Sequence, residues 1–467
     1  MKERTVLALA AELSEGKTTS VALIDAYMKR IETLDGRLNS LADINHEARF
    51  TARALDMERS LKGPRSLLHG IPVILKDNIL TKGAMRTTCN ARVFKDFYAP
   101  YDATLVRKLK AAGAIILAKA NLSEFAYFMS MGKMPSGFGS LHGQVVHPYD
   151  RQIDPLGSST GSAVAVAADL APITIGTETN GSLMSPARQN SVVAIKPTLG
   201  LVSRTGIVPI SSLQDTAGPM SKTVKDAALM LDIIKGEDEE DVATAMMPRA
   251  SRDFLQSTDK DVSSMRVGLL NFKNHPNDEA EKAILEEARK VLEKKGVTTT
   301  TLDIDYELID NTRTLVYEFK RDMNRFLSSL TGLLPVTSLE ALTAYNRADA
   351  RRNLPYGQRH FHQAQATDAR LKDRTYLEDR RLMMDAVETF KTQFTNHRLD
   401  AIITPKINGY APVGGLPCVS VPAQPLKDRD PKSLLFIGLP FTEDRILPLA
   451  HTYETATKHR VPPNLEG

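Results

Sequence analysis

Two short turns in the first half of the chain concentrate hydroxyl groups where few charges surround them. The first is Gly157-Ser158-Ser159-Thr160-Gly161-Ser162 and the second is Asn180-Gly181-Ser182. Between them, Ala163 to Ala168 alternates small apolar residues and reads as a buried helix start, and Ile173 to Thr177 reads as a buried strand. Serines held in so dry a stretch are candidate nucleophiles, provided a base can take their proton.

The base is the scarce component. Ten histidines are scattered along the chain, with no HExxH among them and no local pattern that selects one as a partner for these serines. Residues 157–161 match GxSxG by letter, with Ser159 in the nucleophile slot. Gln152 to Leu156 is polar and contains Pro155, however, so no strand feeds a nucleophile elbow there. Lysine is the alternative. Lys76 closes the apolar run Gly70-Ile71-Pro72-Val73-Ile74-Leu75, and burial at a strand end lowers an ammonium pKa toward the range of a general base. Asp77 would oppose that shift, but consecutive side chains on an extended strand point to opposite faces. On the residues alone, two readings of Lys76 stay open: a buried base, or a surface lysine opening a turn. Ser158 and Ser182 carry the same alternative as turn or capping serines.

The composition narrows the partners. The 467 residues are 42% hydrophobic and 25% charged, and 60 Lys and Arg against 56 Asp and Glu leave a formal charge of only +4. No basic cluster marks a nucleic-acid partner, and no apolar run of about 18 residues marks a membrane span. Cys89 and Cys418 lack any CxxC spacing and read as free buried thiols rather than a disulfide or a zinc site. GxGxxG and GxxxxGK[ST] are absent, so no nucleotide and no other cofactor is expected. The start, MKERTVLALAAELSEG, reads as an amphipathic helix instead of a signal peptide. A cytoplasmic monomer or homodimer is the expectation, with a secreted or periplasmic chain as the alternative if a leader has been removed.

These residues need a frame. Helices are expected over 5–35 (two, the second capped by Thr19 or Ser20), 43–60, 103–112, from Asn121 onward, 223–234, 277–294 and through most of 308–395. A last helix, 443–458, should be interrupted near Pro448. Strands are expected at 70–75, 114–118, 173–177, 267–270, 298–302, 401–404, 418–421 and 434–437, with 129–153 a long loop and 236–262 a surface linker. Strand–helix alternation of this kind predicts an α/β/α domain, a large mixed sheet covered by helices on both sides. The expected organisation is a single domain, 1–467, divided into an N-terminal helical layer (1–64), a core (65–235), a variable, mostly helical substrate side (240–395) and C-terminal elements completing the sheet (396–467).

Several blocks in the same order resemble the amidase signature family of Ser-cisSer-Lys hydrolases: GIPVILKDN (70–78), DATLVRKLKAAGAIILAKANLSEF (102–125), GSSTGSAVAVAA (157–168), GTETNGSLMSPA (176–187) and IKPTLGLVSRTGIVPISSLQDTAGPMSKTVKDAA (195–228). The resemblance implies Lys76 as the catalytic lysine, Ser158 as a bridging serine on a cis peptide, and Ser182 as the nucleophile. It implies an oxyanion hole from the backbone of Thr179, Asn180, Gly181 and Ser182. Ser159, Glu178 and Asp215 fall within the same blocks as residues that orient the turns, with Arg188 a candidate partner for either carboxylate. Leu156, Thr160, Glu178, Asn180 and Met184 depart from the commonest family pattern, and the TETxGS…SPA form is most similar to the peptide-amidase-like branch.

The implied activity is hydrolysis of linear amides, either a peptide C-terminal carboxamide or a small or aryl amide, through a serine acyl-enzyme. A glutaminase component of a transamidation complex is the alternative, and a catalytically inactive scaffold a second. Phe125, Met129, Met131 and Met134 are candidates for lining the substrate cleft, against plain core packing, with Tyr356 and Phe361 on the opposite wall.

Overall fold

The computed structural model describes residues 3–130, 132–248, 252–424 and 431–465. Among them, eleven strands form one mixed sheet: β1 (Leu41–Ile44), β2 (Pro72–Lys76), β3 (Ile115–Ala120), β4 (Ile173–Glu178), β5 (Val193–Lys196), β6 (Thr216–Ser221), β7 (Arg266–Phe272), β8 (Thr298–Ile304), β9 (Ala401–Thr404), β10 (Cys418–Pro422) and β11 (Ser433–Ile437). Their spatial order is β1-β3-β2-β4-β6-β5-β10-β11-β9-β7-β8. The strands that hold the serine turns and the lysine are parallel neighbours, β3 beside β2 and β2 beside β4. β10 and β11 join the same sheet through β5, so the C-terminal strands complete it.

Both faces are covered, and the strand sequences show why. Leu434 and Phe436 pack into one core with the helices Ser20–Leu38, Val224–Ile234 and Glu443–Thr457. Leu435 and Ile437 enter a second core with the helices Thr160–Ala167 and Arg374–His397. That alternation is the period of two of an extended chain, and a sheet covered on both faces needs apolar residues at every position. A third core of Phe94, Phe125, Phe319 and Phe361 joins the helix Thr312–Ser329 to the segment after β3.

Four expectations are corrected. Residues 41–44 are a strand paired antiparallel with β3, and the helix expected over 43–60 runs Ala48–Lys62. Asn45 makes the switch: its N–H donates to Leu117 O, and its side chain accepts from the Glu47 N–H. No α-helix starts at Asn121. A short turn, Glu124–Tyr127, follows, with Phe125, Ala126 and Tyr127 in the left-handed region (φ 49°, 53° and 75°). Glu124 points inward to accept from Ser140 N and Oγ, and the Phe125 ring meets Phe94 and Phe361 edge-on. Pro448 does not interrupt the last helix, which runs Glu443–Thr457. The proline sits near its first turns and is flanked by Leu447 and Leu449, both fully buried, so packing offsets the lost backbone bond. Finally, the segment 236–262, expected as a surface linker, buries Phe254 and Val262. β6, where no element was expected, lies mid-sheet although Gly218 and Pro219 argue against a strand there.

Candidate active site

β2 is buried at every residue, and its C-terminal residue Lys76 is fully buried. Its Nζ lies 2.8 Å from Ser158 Oγ, 3.0 Å from Ser159 Oγ, 2.9 Å from Thr177 Oγ1 and 3.2 Å from Thr177 O. No carboxylate is among these partners. Burial pushes the amine down from 10.5 to about 7, against the opposing influence of Cys89, Asp215 and Glu178. Asp77 turns to the other side of the strand, where it accepts from Thr88 N at 3.0 Å and from Thr88 Oγ1 and lies 3.8 Å from Lys119 Nζ. The objection that Asp77 would hold Lys76 charged is removed by strand geometry.

Ser158 and Ser159 precede the helix Thr160–Ala167, whose eight residues are all buried. The Gly157–Ser158 peptide is cis. Small residues let this helix approach β3: a Cβ on Gly161 would lie 2.4 Å from Asn121 O and 2.2 Å from Ser40 O. Ser159 Oγ donates to Thr177 O at 2.9 Å and accepts from Thr177 N at 3.1 Å, tying the first turn to β4.

The second turn follows β4 directly. Gly181 sits at φ +80°, a conformation that costs glycine nothing. Ser182 is 9% exposed, and its carbonyl accepts from Ser159 N at 3.2 Å, joining the two serine turns through the main chain. Glu178 Oε2 reaches across the turn to accept from Leu183 N at 2.7 Å and Met184 N at 3.1 Å. Asp215 accepts from Thr179 Oγ1 at 2.5 Å and from Ile210 N and Ser211 N at 2.8 and 2.9 Å; burial raises its carboxyl to about 7, opposed by these hydrogen bonds and by Arg204. Gln214 Nε2 donates to Thr179 O at 3.0 Å. The turn is therefore gripped at the Thr179 side chain, at the Thr179 carbonyl and at the two N–H groups that follow Ser182.

The structure places Lys76, Ser158, Ser159, Glu178 and Asp215 around one pair of turns. Arg188 instead donates from Nε to Pro431 O at 3.0 Å. Phe125, Met129 and Met134 are buried, the first two in the third core with Phe361; Met131 lies outside the described residues. Tyr356 is partly exposed and meets Phe138 edge-on. Cys89 and Cys418 are free and buried. His69 and His147 bond to backbone carbonyls of Leu55 and Gln189. Sequence reasoning missed Thr177, Asn78 (which donates to Thr177 Oγ1 at 3.0 Å), Gln214 and Asn311, whose Oδ1 accepts from Asn180 Nδ2 at 3.1 Å. Thr177 was open to recognition as the last inward residue of an alternating strand; Asn311 carried no signal.

A family model described as Amidase matches residues 22–447. The chain belongs to the amidase family, within the amidase signature group. A probable amidase of Arabidopsis thaliana is 35% identical over 99% of this chain and 92% of its own length. A glutamyl-tRNA(Gln) amidotransferase subunit from Thioalkalivibrio sulfidiphilus is 32% identical over the whole of both chains. The solved peptide amidase of Stenotrophomonas maltophilia superposes with a TM-score of 0.91 at 36% identity, covering 100% of this chain and 99% of that one. Among the described residues of this amidase, no cluster of His, Cys, Asp or Glu is placed to hold a metal ion, and no helix is long and apolar enough to cross a membrane.

Proposed function

We propose that the protein hydrolyses linear amides through an acyl-enzyme on Ser182, acting on peptide C-terminal carboxamides or on small and aryl amides. The observation that carries this reading is the fully buried Lys76 Nζ, 2.8 Å from Ser158 Oγ with its pKa near neutrality. Ser159 Oγ already donates to Thr177 O, so it accepts from Nζ, as the Thr177 carbonyl does. That leaves the hydroxyls of Ser158 and Thr177 facing the lone pair of a neutral Lys76. Of these two, Ser158 belongs to the turn whose backbone bonds to Ser182, and we assign it the proton transfer to Lys76.

In this mechanism Lys76 takes the Ser158 proton while Ser158 takes that of Ser182, and Ser182 Oγ bonds to the amide carbon. The carbonyl oxygen becomes negative against backbone N–H groups of residues 179–182; each such donor contributes about 3 kcal/mol in the transition state. The relay returns its proton through Ser158 to the departing nitrogen, the C–N bond breaks, and ammonia or an amine leaves. Water, deprotonated by the same relay, then attacks the ester carbonyl and releases the acid. Glu178, Asp215 and Ser159 act by holding the two turns in register.

The test is the purified chain, alone and without ATP, with carboxamidated peptides, amino-acid amides and anilides, read by mass spectrometry. Turnover, an acyl adduct on Ser182, and loss of both in Ser182→Ala are expected. The full-length similarity to a glutamyl-tRNA(Gln) amidotransferase component supports a second reading, a glutaminase acting within a complex. Glutamine turnover only with partner subunits, and none on the panel, would establish it; unchanged activity in Ser182→Ala would overturn the mechanism.

A further inference from the structure

The helix Ala48–Lys62 carries two apolar faces. The inner one, Ala48, Ala52 and Leu55, is buried in the same core as the helix Ser20–Leu38. Polar groups beside it complete that docking: Asp56 accepts from Ser20 N at 2.7 Å and from Val21 N at 3.0 Å, and Arg59 Nη2 donates to His69 O at 2.5 Å. The outer face is Phe50, Ala54, Met57 and Leu61. All four are exposed, the three large side chains at 75%, 62% and 75%. At 3.6 residues per turn they form one narrow stripe, nearly opposite the buried face. An apolar stripe of this kind in water marks an interaction surface.

The spacing decides what fits the stripe. Steps of four, three and four residues place Phe50, Ala54, Met57 and Leu61 at successive d, a, d and a positions of a heptad, the seam of a two-stranded coiled coil. Arg53 then falls at a g position and Glu58 at an e position. Arg53 is exposed. Glu58 accepts from Arg65 Nε and Nη2, and a carboxylate has lone pairs for a further donor. When two copies of the helix lie parallel and in register, each g residue meets the e residue five positions further along the other helix. Arg53 of each copy therefore faces Glu58 of the other, twice over by the two-fold axis. Antiparallel pairing would set the Arg53 flank against itself. The same charges disfavour a lipid surface, which selects a polar face rich in Lys and Arg: here Arg49 is paired with Asp25 at 2.9 Å, and Glu47 and Glu58 flank the stripe across from Arg53.

We propose that Phe50, Ala54, Met57 and Leu61 form the seam of a two-fold homodimer, in which two copies of this helix run parallel and Arg53 of each pairs with Glu58 of the other. The seam is short: residues 50–61 span about 17 Å of helix. It buries less than the roughly 800 Å² per partner of a standard interface, so the dimer is weak and forms with rising concentration.

The experiment is sedimentation equilibrium of the full chain from about 1 to 200 μM, where reversible dimerisation with a dissociation constant on the order of 10 μM is expected. Met57→Glu, which puts a charge in the seam, should weaken it by about tenfold or more. Arg53→Glu and Glu58→Arg should each do the same alone, because each sets like charges across both pairs. Mixed one to one, these two variants restore opposite charges at both pairs, and their heterodimer should return to within about threefold of the wild-type constant. A wild type that stays monomeric over the whole range, a dimer indifferent to Met57→Glu, or charge variants that do not recover on mixing would overturn the inference. A monomeric wild type that cosediments with phosphatidylcholine–phosphatidylserine vesicles, and loses this in Met57→Glu, would overturn it in favour of a membrane surface. Circular dichroism of each variant, expected to match the wild type, separates these outcomes from misfolding.

Discussion

Lys76 and Lys119 make an instructive pair. Both are fully buried, and they sit on neighbouring parallel strands at the same end of the sheet, in adjacent rows of the register (Leu75 opposite Lys119, Lys76 opposite Ala120). Their surroundings differ. Lys119 Nζ bonds to Ile79 O, Thr81 Oγ1 and Thr87 Oγ1 and lies 3.8 Å from the Asp77 carboxylate, and burial lowers its pKa to about 8 against the pull of Asp77. Lys76 has hydroxyls and one carbonyl for partners and falls to about 7. Burial alone does not make a lysine a base. What separates the two is the side of the strand: one side holds a carboxylate that favours the ammonium, the other a serine with a proton to give.

The largest effect that would sharpen this contrast is on catalysis. Lys76→Ala is expected to lower kcat by about 10⁴-fold or more, the scale seen when a relay member is lost. Lys76→Arg should not rescue it, because a guanidinium stays protonated. Steady-state rates on any accepted amide check both, and a variant retaining a tenth of the activity would break the assignment.

Lys119→Met should behave in the opposite way. It leaves Asp77 buried without its cation, a loss of about 3–5 kcal/mol in stability, while kcat of the folded fraction stays within about tenfold. Denaturant unfolding with parallel rates reads both quantities. Normal stability with abolished activity would show that the two lysines work as one unit.

The smallest effect is on pH. Activity should rise as Lys76 loses its proton through about pH 7. The same shift has a stability consequence. Between about 7 and 10.5 the unfolded chain carries a proton at Lys76 that the folded chain has released. Stability from this group therefore rises with pH across that window and is lowest below its folded pKa. In Lys76→Met that contribution is gone, so the melting-temperature difference between wild type and variant should shift in favour of wild type from pH 7 to 10. A constant difference would mean that Lys76 stays charged in the fold.

Much of this was legible beforehand. The buried strand at 70–75, the Ser/Gly turns and the alternation that separates Lys76 from Asp77 follow from local pattern, since a period of two is a property of any extended chain. The errors and omissions fell where pairing overrides local preference. Leu41–Ile44 is a strand because β3 offers an open edge, and Thr216–Ser221 is one despite Gly218 and Pro219 because β4 and β5 flank it. Of the residues that grip the turns, Glu178 and Asp215 stand out in their blocks as carboxylates among few charges, whereas Gln214, in the same block as Asp215, does not. Asn311 lies 131 residues from Asn180 along the chain in a stretch without motif.

The sequence by itself determined which side chains could exchange protons and that they would end a buried strand and two tight turns, because residue type and local periodicity set those features. Only the folded sheet decided which lysine lies against serine hydroxyls and which partners the turns received. Desolvation and the nearest carboxylate are properties of neighbours in space, and those neighbours come from strands and a helix start far away along the chain.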